Sequence, residues 1–256
     1  MSAVNYEKIN EHIALVTINR PDAYNAINNE VAQEMDAAVK KSEADSSVRV
    51  VILTGAGEKA FCAGADLKMI AAGRGAELNT PDNGFGGFVY AKRSKPWIAA
   101  VNGFALAGGA ELCLACDMII ATDNSKFGLP EVKRGLVAGA GGMFRLPKML
   151  PEKIAMEVIC TGNHFDATFA EKHGLVNKIV PFADLMPTAI KLAEDIAINS
   201  PNSIKESMAF VKNMGNQSEA ELIESSNVLF EKILQSADAL EGTKAFVEKR
   251  APIWKS

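Results

Sequence analysis

Apolar positions along this chain gather in short, nearly continuous runs. Residues 13–18 (Ile-Ala-Leu-Val-Thr-Ile), 48–53, 97–101 and 118–121 are each of strand length. Runs without polar alternation suit parallel strands covered on both faces. A strand over 5–9 precedes the first run, with Asn10-Glu11 as a hairpin turn. Thr54-Gly-Ala-Gly57 ends the second run and Asn102-Gly103 ends the third, both as turns. Over 28–40, Val31, Met35, Ala38 and Val39 recur at helical spacing. Strands alternating with helical patterns predict an α/β architecture.

After Pro181 the pattern changes. From Ala183 to Arg250 only helical spacing is present, with breaks expected near Pro201, Gly215 and Gly242. Leu185, Met186, Leu192, Ile196 and Ile198 supply one apolar face; Leu222, Val228, Leu229 and Ile233 supply another. Such faces need a partner surface, either the chain's own core or another subunit. The stretch 71–87, AAGRGAELNTPDNGFGG, is long for a connection and rich in Gly, Asn and Asp. It is expected to be a functional flap or a poorly ordered loop.

Composition narrows the class. The 256 residues are 48% apolar and 23% charged, the balance of an ordinary globular protein. Lys and Arg number 27 against 31 Asp and Glu, a net charge of −4, and the pI is near 5.5. That leaves no basic footprint for nucleic acid or an anionic membrane surface. The N-terminus lacks the basic start and apolar run of a signal peptide. No apolar stretch reaches the ~18–20 residues of a membrane span; residues 95–116 are interrupted by Asn102, several glycines and Glu111. The cysteines at 62, 113, 116 and 160 read as reduced thiols of a cytoplasmic protein. Cys113-Leu-Ala-Cys116 has C-x-x-C spacing but lacks a second ligand pair for zinc, so buried packing is expected.

Several catalytic signatures are missing. The chain has no phosphate-binding G-x-x-x-x-G-K-[ST], no G-x-S-x-G elbow and no H-E-x-x-H. Gly139-Ala-Gly-Gly142 misses the last glycine of a dinucleotide fingerprint. His12, His164 and His173 stand in no metal-ligand spacing and are expected as surface or capping residues. Acid–base chemistry, if present, falls to carboxylates.

Three segments carry such chemistry. Phe61-Cys-Ala-Gly-Ala-Asp-Leu-Lys68 reads as a strand end, small residues and a helix that Asp66 can cap. Asn102-Gly-Phe-Ala-Leu-Ala-Gly-Gly-Ala-Glu-Leu112 opens a second helix at Gly108-Gly109. The first amides of a helix lack intrahelical partners. Two glycine-rich helix starts can aim two N–H groups at one oxygen, an oxyanion hole for a thioester carbonyl that becomes an enolate; the bland alternative is two capped helices with nothing bound. Glu111 shares a helix face with Ala107, Gly108, Leu114 and Ala115. Burial there raises a carboxyl pKa, whereas an acid in a first turn is also simply favoured by the helix dipole. Phe127-Gly-Leu-Pro-Glu131-Val132 supplies a second acid in an apolar loop, which alone reads as solvated. Together the two glutamates can hold different protonation states, one a base and one an acid.

The ordered set F-C-A-G-A-D-L-K, A-V-N-G-F-A-L-A-G-G-A-E-L, C-D-M-I-I-A, F-G-L-P-E and G-A-G-G resembles the crotonase, or enoyl-CoA hydratase/isomerase, family. Asn19-Arg-Pro-Asp-Ala-Tyr-Asn-Ala26 and the ending E-G-T-K-A-F-V-E-K-R are similar too, so the resemblance runs end to end. It implies a spiral of ββα units over residues 1–195. Residues 196–256 are implied to be a helical segment that docks in a homotrimer or a dimer of trimers. It implies an acyl-CoA thioester held by the backbone N–H groups of Ala65 and Gly108. Ala63 is placed near the adenine, in a CoA-binding stretch with Asp66, Leu67 and Lys68; Lys249 is placed near the CoA phosphates of a neighbouring subunit. Glu111, mainly as base, and Glu131, mainly as acid, are implied to add water to a 2-enoyl-CoA, with no metal or redox cofactor. An isomerase needs only one carboxylate, and a non-catalytic acyl-CoA binder needs none. Ala107 replaces a usual glycine, Ala138 a frequent proline, and G-G-M-F-R-L a more common G-G-T-Q-R-L. The flap, G-G-F-V-Y, R-L-P-K and P-I-W-K are similar to the crotonobetainyl-CoA hydratase branch.

Overall fold

The structure, a computed structural model, describes residues 2–254. Six strands form its larger sheet in the order Val4–Lys8, Ile13–Ile18, Val50–Gly55, Trp97–Val101, Met118–Thr122, Lys178–Val180. The first two are an antiparallel hairpin, with Val4 opposite Ile18. All later neighbours are parallel. Val50–Gly55 and Trp97–Val101 are buried at every position, which is why their sequences run apolar without alternation. Expected and observed strands differ by at most two residues at either end. The expected helix is Asn29–Ala44, where Asn28 accepts a capping hydrogen bond from the Val31 N–H at 2.9 Å.

A second sheet consists of strands too short to show a period. Ala60–Cys62, Phe104–Leu106 and Lys126–Gly128 are parallel, with Phe104–Leu106 in the middle. Phe165–Asp166 pairs antiparallel at its edge. Each parallel member follows a strand of the larger sheet and precedes a helical turn: Leu67–Ala71, Gly108–Ala115, and the 3-10 turn Pro130–Arg134. The chain thus winds through three successive ββα turns. Parallel neighbours present their carboxyl ends at one edge, where ligands of such sheets bind. Residues 63–66, 107–111 and 129–131 therefore leave that edge side by side.

Two asparagines hold the turns between the sheets. Asn25 is fully buried with φ 55°, a region that Asn tolerates better than most residues. It accepts a bond from the Arg20 N–H at 2.9 Å and donates to the carbonyls of Ala56 at 3.0 Å and Ala60 at 2.7 Å. Asn102 donates to the carbonyls of Gly55 at 2.9 Å and Gly57 at 2.5 Å. The turn that aims Ala60–Cys62 is thereby clamped from both sides.

The 71–87 stretch is folded. It continues from the helix Leu67–Ala71 into a 3-10 turn, Gly75–Leu78, and a small hairpin of Asn79–Thr80 with Gly84–Phe85. Leu78, Phe85, Phe88 and Val89 are buried, and Phe88 packs on Trp97 with ring centroids 4.9 Å apart. These apolar anchors outweigh the loop-like composition.

By contacts, the chain divides into two units, residues 1–193 and 194–256. Helices Phe182–Ala197, Pro201–Asn213, Glu219–Leu234 and Ala237–Glu248 follow Pro181 as expected. Ser200, Ser218 and Ser236 cap the last three by accepting backbone N–H bonds. Gly242 does not break a helix, contrary to expectation. It lies inside Ala237–Glu248, and the Trp254 ring sits where its side chain would be, 3.2 Å from an ideal Cβ. An interior glycine costs about 1 kcal/mol relative to alanine, little enough for that packing to offset. Within the second unit Ser200 Oγ donates to Asp238 at 2.6 Å, and the Trp254 indole N–H to the Ile198 carbonyl at 2.7 Å. No helix among the described residues is long and apolar enough to cross a membrane.

Replacing Asn25 with alanine removes all three clamps and leaves the Ala60 carbonyl with only the longer bond from Asn102, at 3.3 Å. Each such loss costs about 1–3 kcal/mol, so Asn25→Ala is expected to lower stability by about 3 kcal/mol. Urea unfolding should show a lower midpoint with an unchanged slope.

Candidate active site

The middle short strand enters the helix Gly108–Ala115 through Ala107, at φ 51° and ψ −126°. An L residue seldom takes that conformation, and holding it there costs roughly 1–3 kcal/mol. The Ala107 N–H donates to the Gly128 carbonyl at 2.9 Å, which ties the middle strand to the third. On the other side backbone meets backbone. A Cβ at Gly109 would overlap the Cys62 carbonyl. One at Gly64, whose φ is 94°, would lie 2.8 Å from the Ala107 Cβ and 3.0 Å from the Gly108 nitrogen. Glycine at 64 and 109 is what allows this approach.

The contact sets the Gly108 amide beside residues 63–65. Gly108 begins its helix, so its N–H has no intrahelical acceptor. The Ala65 amide is freed differently. Ile27 forms a parallel bridge with Ala65, donating to the Gly64 carbonyl at 2.8 Å and accepting from the Asp66 N–H at 2.8 Å. Successive amides of an extended chain point opposite ways, so the Ala65 N–H is turned away from Ile27. Both residues line one cleft of about 1080 Å³, at the upper end of the ~300–1,000 Å³ range of small-molecule sites.

Glu111 and Glu131 line the same cleft. Glu111 is only 3% exposed, and its Oε1 accepts the Gly142 N–H at 2.9 Å. Gly142 begins the helix Gly142–Met149, so this is another amide without an intrahelical acceptor. Burial pushes the Glu111 carboxyl from 4.5 up to about 7, and Glu131 adds to the rise. The amides of Gly142 and Ala140 and the Arg145 guanidinium pull it down by less. Glu131, in the turn Pro130–Arg134, is also raised by burial, against its own amide and Arg134. Its Oε2 is buried with no hydrogen-bond partner. One glutamate is thus anchored and the other keeps an oxygen unengaged.

The flap forms a wall of the cleft. Phe85 fills the place of a side chain at Gly108, and Tyr90 stands beyond it. At the rim, Asp66 caps Leu67–Ala71 by accepting the Lys68 N–H at 3.1 Å and pairs with Arg20 at 3.2 Å. Ala63 lines the cleft and donates its N–H to the Tyr24 carbonyl at 3.0 Å. Leu67 and Lys68 are exposed there. The cleft is also lined by Arg20, Lys68, Lys133 and Arg134, with Asp22 and the Arg20-paired Asp66 among them. Lys249 belongs to the second unit, where it ends Ala237–Glu248 in a left-handed conformation. No cluster of three metal-ligating side chains occurs among the described residues. Sequence reasoning passed over Arg20, Tyr90 and the Gly142 amide. All three lay in motifs it quoted, Tyr90 as the last residue of G-G-F-V-Y, but none was singled out as a site residue.

A model of the family described as enoyl-CoA hydratase/isomerase matches residues 8–256. The chain belongs to the enoyl-CoA hydratase/isomerase family. Among its relatives, the carnitinyl-CoA dehydratase of Proteus mirabilis is 41% identical over 245 residues, covering 94% of each chain. That of Escherichia coli is 41% identical over 251 residues, covering 96% of each. The crystal structure of an enoyl-CoA hydratase from Mycobacterium tuberculosis matches with a TM-score of 0.94 at 40% identity, over 100% of this chain and 99% of that one. A carnitinyl-CoA hydratase from Mycobacterium avium matches at 45% identity and a TM-score of 0.78, over the same shares. The two-sheet spiral described above is therefore the crotonase fold of the enoyl-CoA hydratase/isomerase family.

The raised Glu111 carboxyl has a thermodynamic signature. Between pH 4.5 and about 7 the folded protein holds a proton that the unfolded chain has released. The stability from this group is complete below pH 4.5 and is lost as pH rises through 7. Relative to Glu111→Gln, wild-type protein is expected to lose about 3 kcal/mol across that window. Paired urea titrations from pH 4 to 8 measure it; a pH-independent difference would contradict the raised value.

Proposed function

We propose that this protein is an enoyl-CoA hydratase, a lyase that adds water across the 2,3 double bond of a 2-enoyl-CoA to give a 3-hydroxyacyl-CoA. The observation that carries the reading is a buried and a half-buried carboxylate, both of raised pKa, in one cleft with two unengaged amides. The thioester oxygen sits between the N–H groups of Ala65 and Gly108. Water lies between the glutamates. Glu111 takes a water proton as the oxygen bonds to C3, and negative charge builds on the thioester oxygen. Glu131 then delivers a proton to C2, and the double bond is consumed. Run backwards, the same groups dehydrate a 3-hydroxyacyl-CoA. An isomerase would need only one of the two glutamates. The reaction as written uses no metal or redox cofactor, and CoA is part of the substrate.

Arg20, Lys68, Lys133 and Arg134 along the cleft complement the phosphates of CoA, near Ala63, Asp66 and Leu67. For assembly we favour a homotrimer or a dimer of trimers. In the second unit Leu240, Phe246 and Val247 are 66%, 85% and 80% exposed, apolar side chains that a neighbouring copy would cover. Lys249, at the end of the same helix, then reaches the CoA of a neighbouring copy. The free cysteines, three of them buried, suit a cytoplasmic protein. A second reading narrows the substrate. The carnitinyl-CoA dehydratase relatives, at 41% identity, favour a crotonobetainyl-type enoyl-CoA.

Loss of the enoyl-thioester absorbance tests the proposal with crotonyl-CoA, longer-chain and crotonobetainyl-CoA. Glu111→Gln and Glu131→Gln are each expected to lower hydration by at least ~100-fold, the scale of lost acid–base help. Near-normal turnover in either variant removes that glutamate from the mechanism. In the wild-type enzyme kcat/KM is expected to be bell-shaped in pH, rising through about 7 as Glu111 ionises to its basic form and falling as Glu131 loses the proton it delivers.

A further inference from the structure

We propose that Tyr90 sets the length of the acyl group the cleft accepts; the inference rests on the acyl-CoA reading above. The starting point is direction. A thioester whose oxygen lies on the Ala65 and Gly108 amides must bring C2 and C3 to Glu111 and Glu131. Carbons beyond C3 continue past the glutamates, toward whatever stands behind them. Behind Glu111 stands the 138–142 segment, whose Gly142 amide holds the Glu111 carboxylate.

Tyr90 is bonded to that segment. It is half exposed and lines the cleft, and its hydroxyl donates to the Gly139 carbonyl at 2.9 Å. The bond runs from the chain just after the flap to the segment that holds Glu111. The ring is held in place from two further directions. It packs into the space left by the missing side chain of Gly84, whose φ is 69°. The Arg145 guanidinium lies 5.7 Å from its centroid. Arg145 itself donates to the carbonyls of Val89 at 2.5 Å and Ala140 at 3.2 Å, joining the same two segments a second time. With Phe85 already against Gly108, the acyl group meets an aromatic wall fastened at both ends. A short acyl group fits in front of it. A long tail must push the Tyr90 ring aside and break the bond to Gly139.

Nothing in the fold otherwise asks for this hydroxyl. Flap anchoring comes from buried Leu78, Phe85, Phe88 and Val89, whereas Tyr90 faces the cleft.

Calorimetric binding of saturated acyl-CoAs tests the proposal without depending on turnover. Butyryl-CoA and lauroyl-CoA are titrated into wild-type protein, Tyr90→Phe and Tyr90→Ala. The ratio of lauroyl to butyryl Kd is expected to fall at least ~10-fold in Tyr90→Ala. Tyr90→Phe, which keeps the ring and loses the bond, should fall in between. A ratio unchanged within about twofold in Tyr90→Ala overturns the proposal; should that variant fail to fold, an unchanged ratio in Tyr90→Phe does so. Absence of hydration by wild-type protein would instead sink the hydratase reading, and the binding ratios would still be readable.

Discussion

The backbone of Cys62–Gly64 lies against Ala107–Gly109 with no room for a side chain between them. Everything at the site follows from that contact. It fixes the distance between two strand ends, turns one helix start toward a neighbouring loop, and leaves two main-chain amides free beside each other. Preorganised donors of this kind act because they need no rearrangement as charge develops, and each is typically worth about 3–4 kcal/mol to a transition state. Main-chain groups held by sheet register and helix packing are stiffer than side chains on loops. The constraint is strong enough to keep Ala107 in a conformation that glycine would adopt freely.

The carboxylates are set by opposing effects, of which burial is the larger. Burial drives Glu111 toward its neutral form, while the Gly142 amide and Arg145 favour the anion, and the outcome is a group poised near neutrality. Glu131 reaches the cleft from the next turn of the spiral, under weaker burial and with an unengaged oxygen. Two acids of the same chemistry are therefore unequal: one is gripped by a helix start, the other keeps an oxygen without a partner.

Much of this was legible in the sequence. The long strands were readable because burial on both faces leaves an apolar run with sharp ends. The short strands were not, because three residues such as Ala60–Cys62 cannot display a period. The motifs that follow them were visible as chemistry, but their meeting depends on sheet order, which spacing alone does not encode. Gly242 misled because an interior glycine and a helix-ending one look alike until the Trp254 ring over it is known. The flap misled in the opposite sense: its composition was that of a loop, while four buried apolar residues anchor it. Tyr90 was visible only as the end of the G-G-F-V-Y stretch, since its contact is a single hydroxyl meeting a carbonyl 49 positions away.

The flap also occupies a particular place in the winding. It lies wholly between the helix Leu67–Ala71, which closes one ββα turn, and the strand Trp97–Val101, which opens the next. Its residues add nothing to the register of the paired strands Val50–Gly55 and Trp97–Val101. This connecting stretch nevertheless reaches the cleft: Phe85 lies against Gly108, Tyr90 bonds to Gly139, and Val89 accepts from Arg145. The molecule thus separates scaffold from lining: one contiguous stretch of chain walls the cleft while taking no part in the strand pairing of the larger sheet.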